Sequence, residues 1–171
     1  MPRLTLLYSR TKSLILLAFV CIFISSCSAE PDFYLIDGNS VSFTEHKDQY
    51  LVINYWAEWC KPCLEEVPEL NAFYAEYGAK YPLYAVSFDK ASNEQLSEQQ
   101  NRFNMVYPMI ASEPKPNIGI EMPGVLPANF IRAPSGKLYG PLLGPQTEAS
   151  LLAAIERAKF TEANGEPTEN P

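Results

Sequence analysis

Two cysteines separated by two residues, Cys60 and Cys63, are the part of the sequence best able to do chemistry. They follow an apolar run and open a helical pattern, where residues three apart can form a disulfide without backbone movement. Pro62 fits the first turn of a helix, where a missing N–H costs no hydrogen bond. Cys60 would then lie at the helix N-terminus, where the dipole stabilises a thiolate. We expect Cys60 to attack disulfides and the more buried Cys63 to resolve the mixed disulfide.

Two other interpretations of the cysteine pair fit this sequence less well. A zinc site needs four ligands, whereas the sequence has no second CxxC motif and only one histidine, His46. A permanent structural disulfide across so short a loop would restrain the unfolded chain little. The pair is therefore interpreted as a redox-active dithiol that requires neither a metal nor an organic cofactor.

The surrounding pattern predicts elements that would position this pair. Residues 50–56 form a nearly continuous apolar run, as in a strand covered on both faces, and lead directly to Cys60. A helix is expected after Pro62 with Gly78 as its end, and Thr147 is expected to cap a last helix. The other predicted elements are a hairpin of residues 33–36 and 41–43, a strand at 83–88, a helix from Ser92 to about Met105, and a hairpin of 128–132 and 137–139. The alternation of strands and helices implies parallel pairing with right-handed crossovers.

The first 26 residues have the composition of an export signal. Three basic residues precede an apolar stretch at residues 14–24, which is short for a membrane span and ends in small residues. Ile24-Ser25-Ser26-Cys27 resembles the bacterial lipobox, which implies that Cys27 is lipidated; simple secretion and an uncleaved signal anchor are the alternatives. The expected organisation is a signal peptide at 1–26, a tether at 27–32, a folded domain at 33–160 and a disordered acidic tail at 161–171.

The size and charge of the chain limit its class and its partners. With 171 residues, 47% of them hydrophobic, the chain can form one domain with a core. The formal net charge is −7, and loss of residues 1–26, which contain three basic and no acidic residues, would leave −10. Such an acidic surface argues against nucleic acid as a binding partner and against electrostatic docking onto anionic lipid. Export would also place the cysteine pair in an oxidising compartment, where it needs a supply of electrons to stay reduced.

Two segments, together with the helix that contains Glu66 and Pro68, resemble the TlpA/ResA-like branch of the thioredoxin superfamily. The segments are Asn54-Tyr55-Trp56-Ala57-Glu58-Trp59-Cys60-Lys61-Pro62-Cys63 and Gly124-Val125-Leu126-Pro127-Ala128-Asn129-Phe130-Ile131. The resemblance spans roughly residues 33–160 and implies an α/β thioredoxin-like fold, in which helices flank a central mixed β-sheet. It also implies a protein disulfide oxidoreductase that works through the WCxPC dithiol.

The same resemblance implies roles for four further residues. It makes Pro127 a cis-proline beside the cysteine pair, which would expose the backbone of Leu126 to an extended substrate segment; a proline that merely starts a strand is the alternative. Glu66 resembles the acidic residue that assists proton transfer, and a solvated surface glutamate is the competing interpretation. Asn54 stands where thioredoxin has a buried aspartate, which favours Glu66 as the acid. Trp59 is expected to shield the disulfide and to shape the docking surface.

Together these features predict a membrane-tethered thiol–disulfide oxidoreductase on the periplasmic side of a bacterial membrane, inner or outer. A proline before the second cysteine resembles the reducing members, so we expect a reductase of protein disulfides, fed by a membrane thiol relay. Apocytochrome c or another exported thiol protein would be its substrate. A disulfide oxidant or isomerase of the same fold remains open, as does a copper or haem chaperone that binds through both thiolates. Leu126 and Ala128-Asn129 differ from the residues usual at these positions, which leaves substrate choice open.

Overall fold

Six strands and three helices make up the part of the chain that the structure, a computed structural model, describes, residues 30–165. They are β1 (Phe33–Tyr34), β2 (Ser40–Val41), β3 (Leu51–Trp56), α1 (Lys61–Tyr77), β4 (Leu83–Ser87), α2 (Asn93–Arg102), β5 (Ala128–Arg132), β6 (Leu138–Leu143) and α3 (Glu148–Asn164). The predicted signal peptide, Cys27 and residues 166–171 lie outside the described residues. Within the described range, no helix has the length and hydrophobicity needed to cross a membrane.

Strand β3 lies inside a four-stranded mixed sheet with the order β4-β3-β5-β6. It pairs in parallel with β4 and antiparallel with β5, and β6 is the antiparallel edge strand beside β5. All six residues of β3 are buried, as the unbroken apolar run predicts for a strand covered on both faces. Asn54 lies opposite Asn129 of β5, which places two amide side chains next to each other. This mixed sheet and its three helices confirm the predicted fold class.

The core consists of two clusters of buried side chains. The larger cluster joins the sheet to the helices, through Leu70 and Phe73 of α1 and Ile155 of α3, and it includes both cysteines. Burying one such Leu, Ile or Phe side chain contributes about 1.5–3 kcal/mol. The packing therefore holds α1 firmly on the sheet, and Cys60 and Cys63 are fixed with it.

Helix α2 ends at Arg102, earlier than the predicted end at Met105. Asn104 has a φ of 53°, and the Met105 N–H donates back to the Gln100 carbonyl oxygen at 3.0 Å. A residue in the left-handed region ends a helix, and asparagine adopts that region more readily than most residues. The helix therefore stops early, although it begins after Ser92 as predicted, with a capping box formed by Ser92 and Gln95.

Helix α3 begins after Thr147, as predicted, but continues to Asn164. The disordered tail predicted from residue 161 is therefore wrong for residues 161–164. Tyr139 of β6 donates its hydroxyl to the Glu162 carboxylate at 2.7 Å, so a side chain of this last turn has a partner in the sheet. Gly165, with a φ of 67°, caps the end of the helix.

The two hairpins form with different limits from those predicted. Strand β2 ends at Val41, because the Ser42 hydroxyl accepts the Thr44 N–H and caps a short 3₁₀ helix, Phe43–His46. Strand β6 continues to Leu143, beyond the predicted end at residue 139, because it pairs along β5 as far as Ala128.

Candidate active site

The cysteine pair is a disulfide at the start of α1, with its two Cα atoms 5.2 Å apart. Cys60 is the N-cap residue of the helix, and its Sγ accepts the Cys63 backbone N–H at 3.3 Å. Pro62 occupies the first turn, as its missing N–H requires. Cys60 is 4% exposed and Cys63 is 1% exposed, so the expected difference in accessibility is small in the disulfide form.

The charged side chains near Cys60 are paired with one another on the surface. Lys61 forms an exposed ion pair with Glu65 at 3.7 Å, and Glu58 pairs with Arg102. Because each positive charge has a negative partner, the opposing effects of these groups on the sulfur offset one another. The N–H groups and dipole at the start of α1 remain to stabilise a Cys60 thiolate once the disulfide is reduced.

Glu66 lies one helical turn after Cys63 and is 1% exposed, which overturns the interpretation of a solvated surface glutamate. Its carboxylate accepts three N–H groups. Asn54 Nδ2 donates to Oε1 at 2.6 Å, while Oε2 accepts the Gln146 backbone N–H at 2.8 Å and Asn129 Nδ2 at 3.4 Å. Asn54 Nδ2 also donates to Asn129 Oδ1 at 3.0 Å, so the three side chains form a closed hydrogen-bonded group.

Burial raises the pKa of Glu66 from 4.5 to about 7, although its three hydrogen bonds act to lower it. A carboxyl group with such a pKa can both accept and release a proton near neutral pH. Tyr107 is a second buried titratable group in this region. Burial, and then the charge of Glu66, raises the pKa of its phenol, whose oxygen has no hydrogen-bond partner among the described residues.

The loop before β5 contains the cis-proline that the family resemblance implies. The peptide bond between Leu126 and Pro127 is cis, and the Pro127 carbonyl oxygen accepts the Gly144 N–H at 3.0 Å. The half-buried side chain of Leu126 packs against both core clusters. No backbone hydrogen bond in the described part of the chain involves Leu126, so its N–H and C=O groups are free to pair with another chain.

The two tryptophans beside the cysteine pair have different environments. Trp56 is buried in the core, whereas Trp59 is 64% exposed. The Trp59 ring is nevertheless held in place: its Nε1 donates to Asp89 Oδ1 at 3.1 Å, and it lies edge-to-face against Phe88 at 6.1 Å. A fixed, exposed aromatic ring next to the disulfide is suited to contact with a partner.

Among the described residues, the cysteine pair is not surrounded by the side chains of a metal site. Within residues 30–165, no three histidine, cysteine or acidic side chains are grouped so that they could hold an ion. His46 is engaged elsewhere, with Nδ1 2.8 Å from Gln49 Oε1 and Nε2 2.9 Å from the Tyr84 hydroxyl. The site therefore presents two sulfurs and a buried carboxyl group as its reactive elements.

Sequence analysis did not identify Asn129 and Gln146 as partners of Glu66. Asn129 could have been identified from the sequence, because it is a polar residue within an apolar strand and a buried amide needs a hydrogen-bond partner. Gln146 contributes its backbone N–H to Glu66, so its side chain gives no indication of the contact.

Several known proteins are similar to this chain in sequence or in fold. The thiol–disulfide oxidoreductase ResA of Geobacillus thermodenitrificans is 28% identical over 137 residues, which cover 77% of this chain and 77% of that protein. The crystal structure of StoA from Bacillus subtilis matches with a TM-score of 0.60 at 21% identity, covering 72% of this chain and 93% of StoA. The exposed lipoprotein thioredoxin Etrx1 of Streptococcus pneumoniae matches with a TM-score of 0.61 at 18% identity, covering 73% and 96% of the two chains.

The AhpC/TSA family matches residues 28–139, a range that includes the cysteine pair, Glu66 and Pro127. This match covers more than half of the chain. The relatives named thiol–disulfide oxidoreductase and the solved structures of the same fold agree with it. The chain therefore belongs to the AhpC/TSA family and is a thiol–disulfide oxidoreductase of thioredoxin-like fold that carries the Cys60–Cys63 pair.

Proposed function

We propose that the protein is an extracytoplasmic reductase of protein disulfides, attached to a membrane through lipidated Cys27. The observation that carries its chemistry is the buried Glu66 carboxyl group, one helical turn after Cys63, with its pKa raised to about 7. Thiol–disulfide exchange requires a proton to leave the resolving thiol, and a carboxyl group of this pKa can accept it at neutral pH.

The first step uses the reduced protein. The Cys60 thiolate, stabilised by the start of α1, attacks one sulfur of a substrate disulfide. A bond forms between Cys60 Sγ and that sulfur, the substrate S–S bond breaks, and the released substrate thiolate takes a proton from solvent. The product of this step is a mixed disulfide between Cys60 and the substrate.

The second step releases the reduced substrate. Glu66 accepts the proton of the Cys63 thiol, and the Cys63 thiolate attacks Cys60 Sγ. The mixed disulfide breaks, the second substrate thiolate leaves and is protonated, and the Cys60–Cys63 disulfide seen in the structure forms. Two electrons have then passed from the dithiol to the substrate, and Glu66 returns its proton to solvent or to Cys63 on the next reduction.

The surface around the disulfide supports docking of an extended protein segment. The free N–H and C=O groups of Leu126, held before the cis bond to Pro127, can pair with the backbone of such a segment. Trp59 offers an exposed ring on the other chain segment of the site. A substrate would then lie between these two elements with its disulfide at Cys60.

Lipidation at Cys27 would place this site beside a source of electrons. In an oxidising compartment a reductase must be recharged, and a thiol relay in the membrane is the donor that we propose. Similar proteins carry names that fit such a location: Etrx1 is named an exposed lipoprotein, and a Chlorobium tepidum structure of the same fold is named a putative interchange protein DsbE. Exported thiol proteins, among them apocytochrome c, are the proposed substrates, on the periplasmic side of the inner or outer membrane.

Trapping of the mixed disulfide tests this mechanism. A Cys63→Ser variant keeps Cys60 but cannot resolve the mixed disulfide. It should therefore accumulate a covalent adduct with a protein disulfide substrate, and a reducing agent should cleave this adduct. Cys60→Ser is the matched control and should form no such adduct. Equal trapping by both variants, or none by Cys63→Ser when a thiol reagent labels Cys60, would contradict the assigned order of attack.

A further inference from the structure

All the hydrogen bonds to Glu66 are of a kind that stabilises its ionised carboxylate. Asn54, Asn129 and the Gln146 backbone each supply an N–H group, and none of these contacts supplies an acceptor. A protonated Glu66 also has an O–H group, which needs an acceptor in so buried a place. The arrangement therefore suits one protonation state, whereas the proposed reaction needs both.

The side chain that hydrogen-bonds to Glu66 Oε1, Asn54, also has a spare acceptor. Its Oδ1 is buried and has no hydrogen-bond partner among the described residues, whereas its Nδ2 donates to both Glu66 and Asn129. The backbone N–H of Gln146 keeps Oε2 as an acceptor, so the proton must be placed on Oε1, the oxygen opposite Asn54. A 180° rotation of the Asn54 side-chain amide would exchange Oδ1 and Nδ2, so that Oδ1 could accept a hydrogen bond from that proton.

The Asn54 amide cannot rotate unless the Asn129 amide rotates too. After the turn, Asn54 Oδ1 would face Asn129 Oδ1 at the position of the present 3.0 Å hydrogen bond. Two acceptors in contact repel, so the Asn129 amide must turn as well and donate its Nδ2 to Asn54. This second turn gives up the long contact of 3.4 Å between Asn129 Nδ2 and Glu66 Oε2 and leaves two acceptors at that distance, which repel less than two acceptors at 3.0 Å.

We propose that Asn129 is a positioning residue for Glu66, and that Asn54 and Asn129 turn together as the carboxyl group gains and loses its proton. Asn129 holds the pair in the orientation that favours the carboxylate. This inference rests on the proposed function only in giving Glu66 a proton to transfer.

Few other groups near Glu66 can titrate. Tyr107, between α2 and β5, has a phenol whose pKa the charge of Glu66 helps to raise, so it stays neutral when Glu66 ionises. On α1 itself, Cys63 is held in the disulfide, and the Glu69 carboxylate accepts the Glu148 N–H at 3.2 Å. Asn54 of β3, Asn129 of β5 and the Gln146 backbone carry no charge. The protonation of Glu66 in the oxidised protein therefore depends on burial and on these N–H donors.

A carbon-13 titration of the glutamate carboxyl groups tests the inference directly. The full oxidised chain is labelled at glutamate Cδ and held in detergent solution, and the Glu66 signal is assigned by its loss in Glu66→Gln. Asn129→Leu removes the amide at similar volume, and we expect the pKa of Glu66 to rise by about half a unit to one unit. Asn129→Thr keeps a hydroxyl donor and should give a smaller rise. The matched control, Gln99→Leu, removes a buried amide of α2 that is not among the hydrogen-bond partners of Glu66, and it should give no rise.

Each outcome separates the inference from the proposed function. A pKa within about 0.2 unit of wild type in folded Asn129→Leu would overturn the inference, and Asn129→Ala takes its place if the leucine variant does not fold. If the pKa is unchanged while Glu66→Gln slows disulfide exchange, the proposed function stands without this role for Asn129. If the pKa rises but Glu66→Gln exchanges disulfides normally, Asn129 positions Glu66 and the proposed proton transfer by Glu66 is wrong.

Discussion

Replacement of Glu66 by glutamine should change how the stability of the oxidised protein depends on pH. The pKa of Glu66 is about 7 in the folded chain against 4.5 for an ordinary glutamate. Between these pH values the folded state holds the proton more tightly than the unfolded state does. The stability that this group contributes is therefore complete below pH 4.5 and is lost as the pH rises through about 7. The difference between the two pKa values corresponds to about 3 kcal/mol.

Urea unfolding of wild-type and Glu66→Gln protein, measured between about pH 4.5 and pH 8, gives this difference directly. The glutamine is neutral throughout, so the free energy of unfolding of wild type should fall by about 3 kcal/mol relative to the variant across this range. Loss of the hydrogen bonds to the carboxylate shifts the variant's curve by the same amount at every pH and does not change its slope. Glu65→Gln, which removes an exposed carboxylate of the same helix, is the matched control and should keep the wild-type slope. Parallel curves for wild type and Glu66→Gln would contradict a raised pKa of Glu66 in the folded protein.

Two further predictions concern the docking surface and the last helix. Trp59→Ala should lower kcat/KM for a protein disulfide roughly tenfold, because an exposed aromatic anchor is lost. The stability of the protein and its reaction with a small disulfide should change little. An equal loss of kcat/KM with both substrates would contradict a docking role. Thr147→Ala should lower the free energy of unfolding by about 1 kcal/mol, because the Thr147 hydroxyl caps α3 by accepting the Ser150 N–H at 3.2 Å. Thermal unfolding measures this effect, and an unchanged midpoint would show that the cap contributes nothing.

Local patterns in the sequence were sufficient to predict the frame of the site. The apolar run of residues 50–56 gave β3, and Pro62 fixed the first turn of α1 with Cys60 at its start. The capping residues Ser92 and Thr147 gave the starts of α2 and α3. These features depend on contacts between neighbours in the chain, which is why the sequence displays them.

Contacts between distant parts of the chain were much harder to foresee. Tyr139 of β6 contacts Glu162 in the last turn of α3, and Asn71 of α1 donates to the Asn104 carbonyl oxygen just after the end of α2. The surroundings of Glu66 depend on strand register, which brings Asn129 next to Asn54, and on a backbone group of Gln146 from 80 residues away. No local pattern encodes such pairings, so Glu66 could be named from its spacing to Cys63 while its partners could not.

The reduction potential of the Cys60–Cys63 pair tests the proposed direction of electron flow most directly. It is measured by equilibrating the protein in defined thiol buffers and quantifying the dithiol and disulfide forms. A value near that of thioredoxin, about −270 mV or lower, is expected for a reductase that receives electrons from a membrane relay. A value near that of the strong oxidant DsbA, about −120 mV, would make the protein a donor of disulfides and would contradict the function proposed for it.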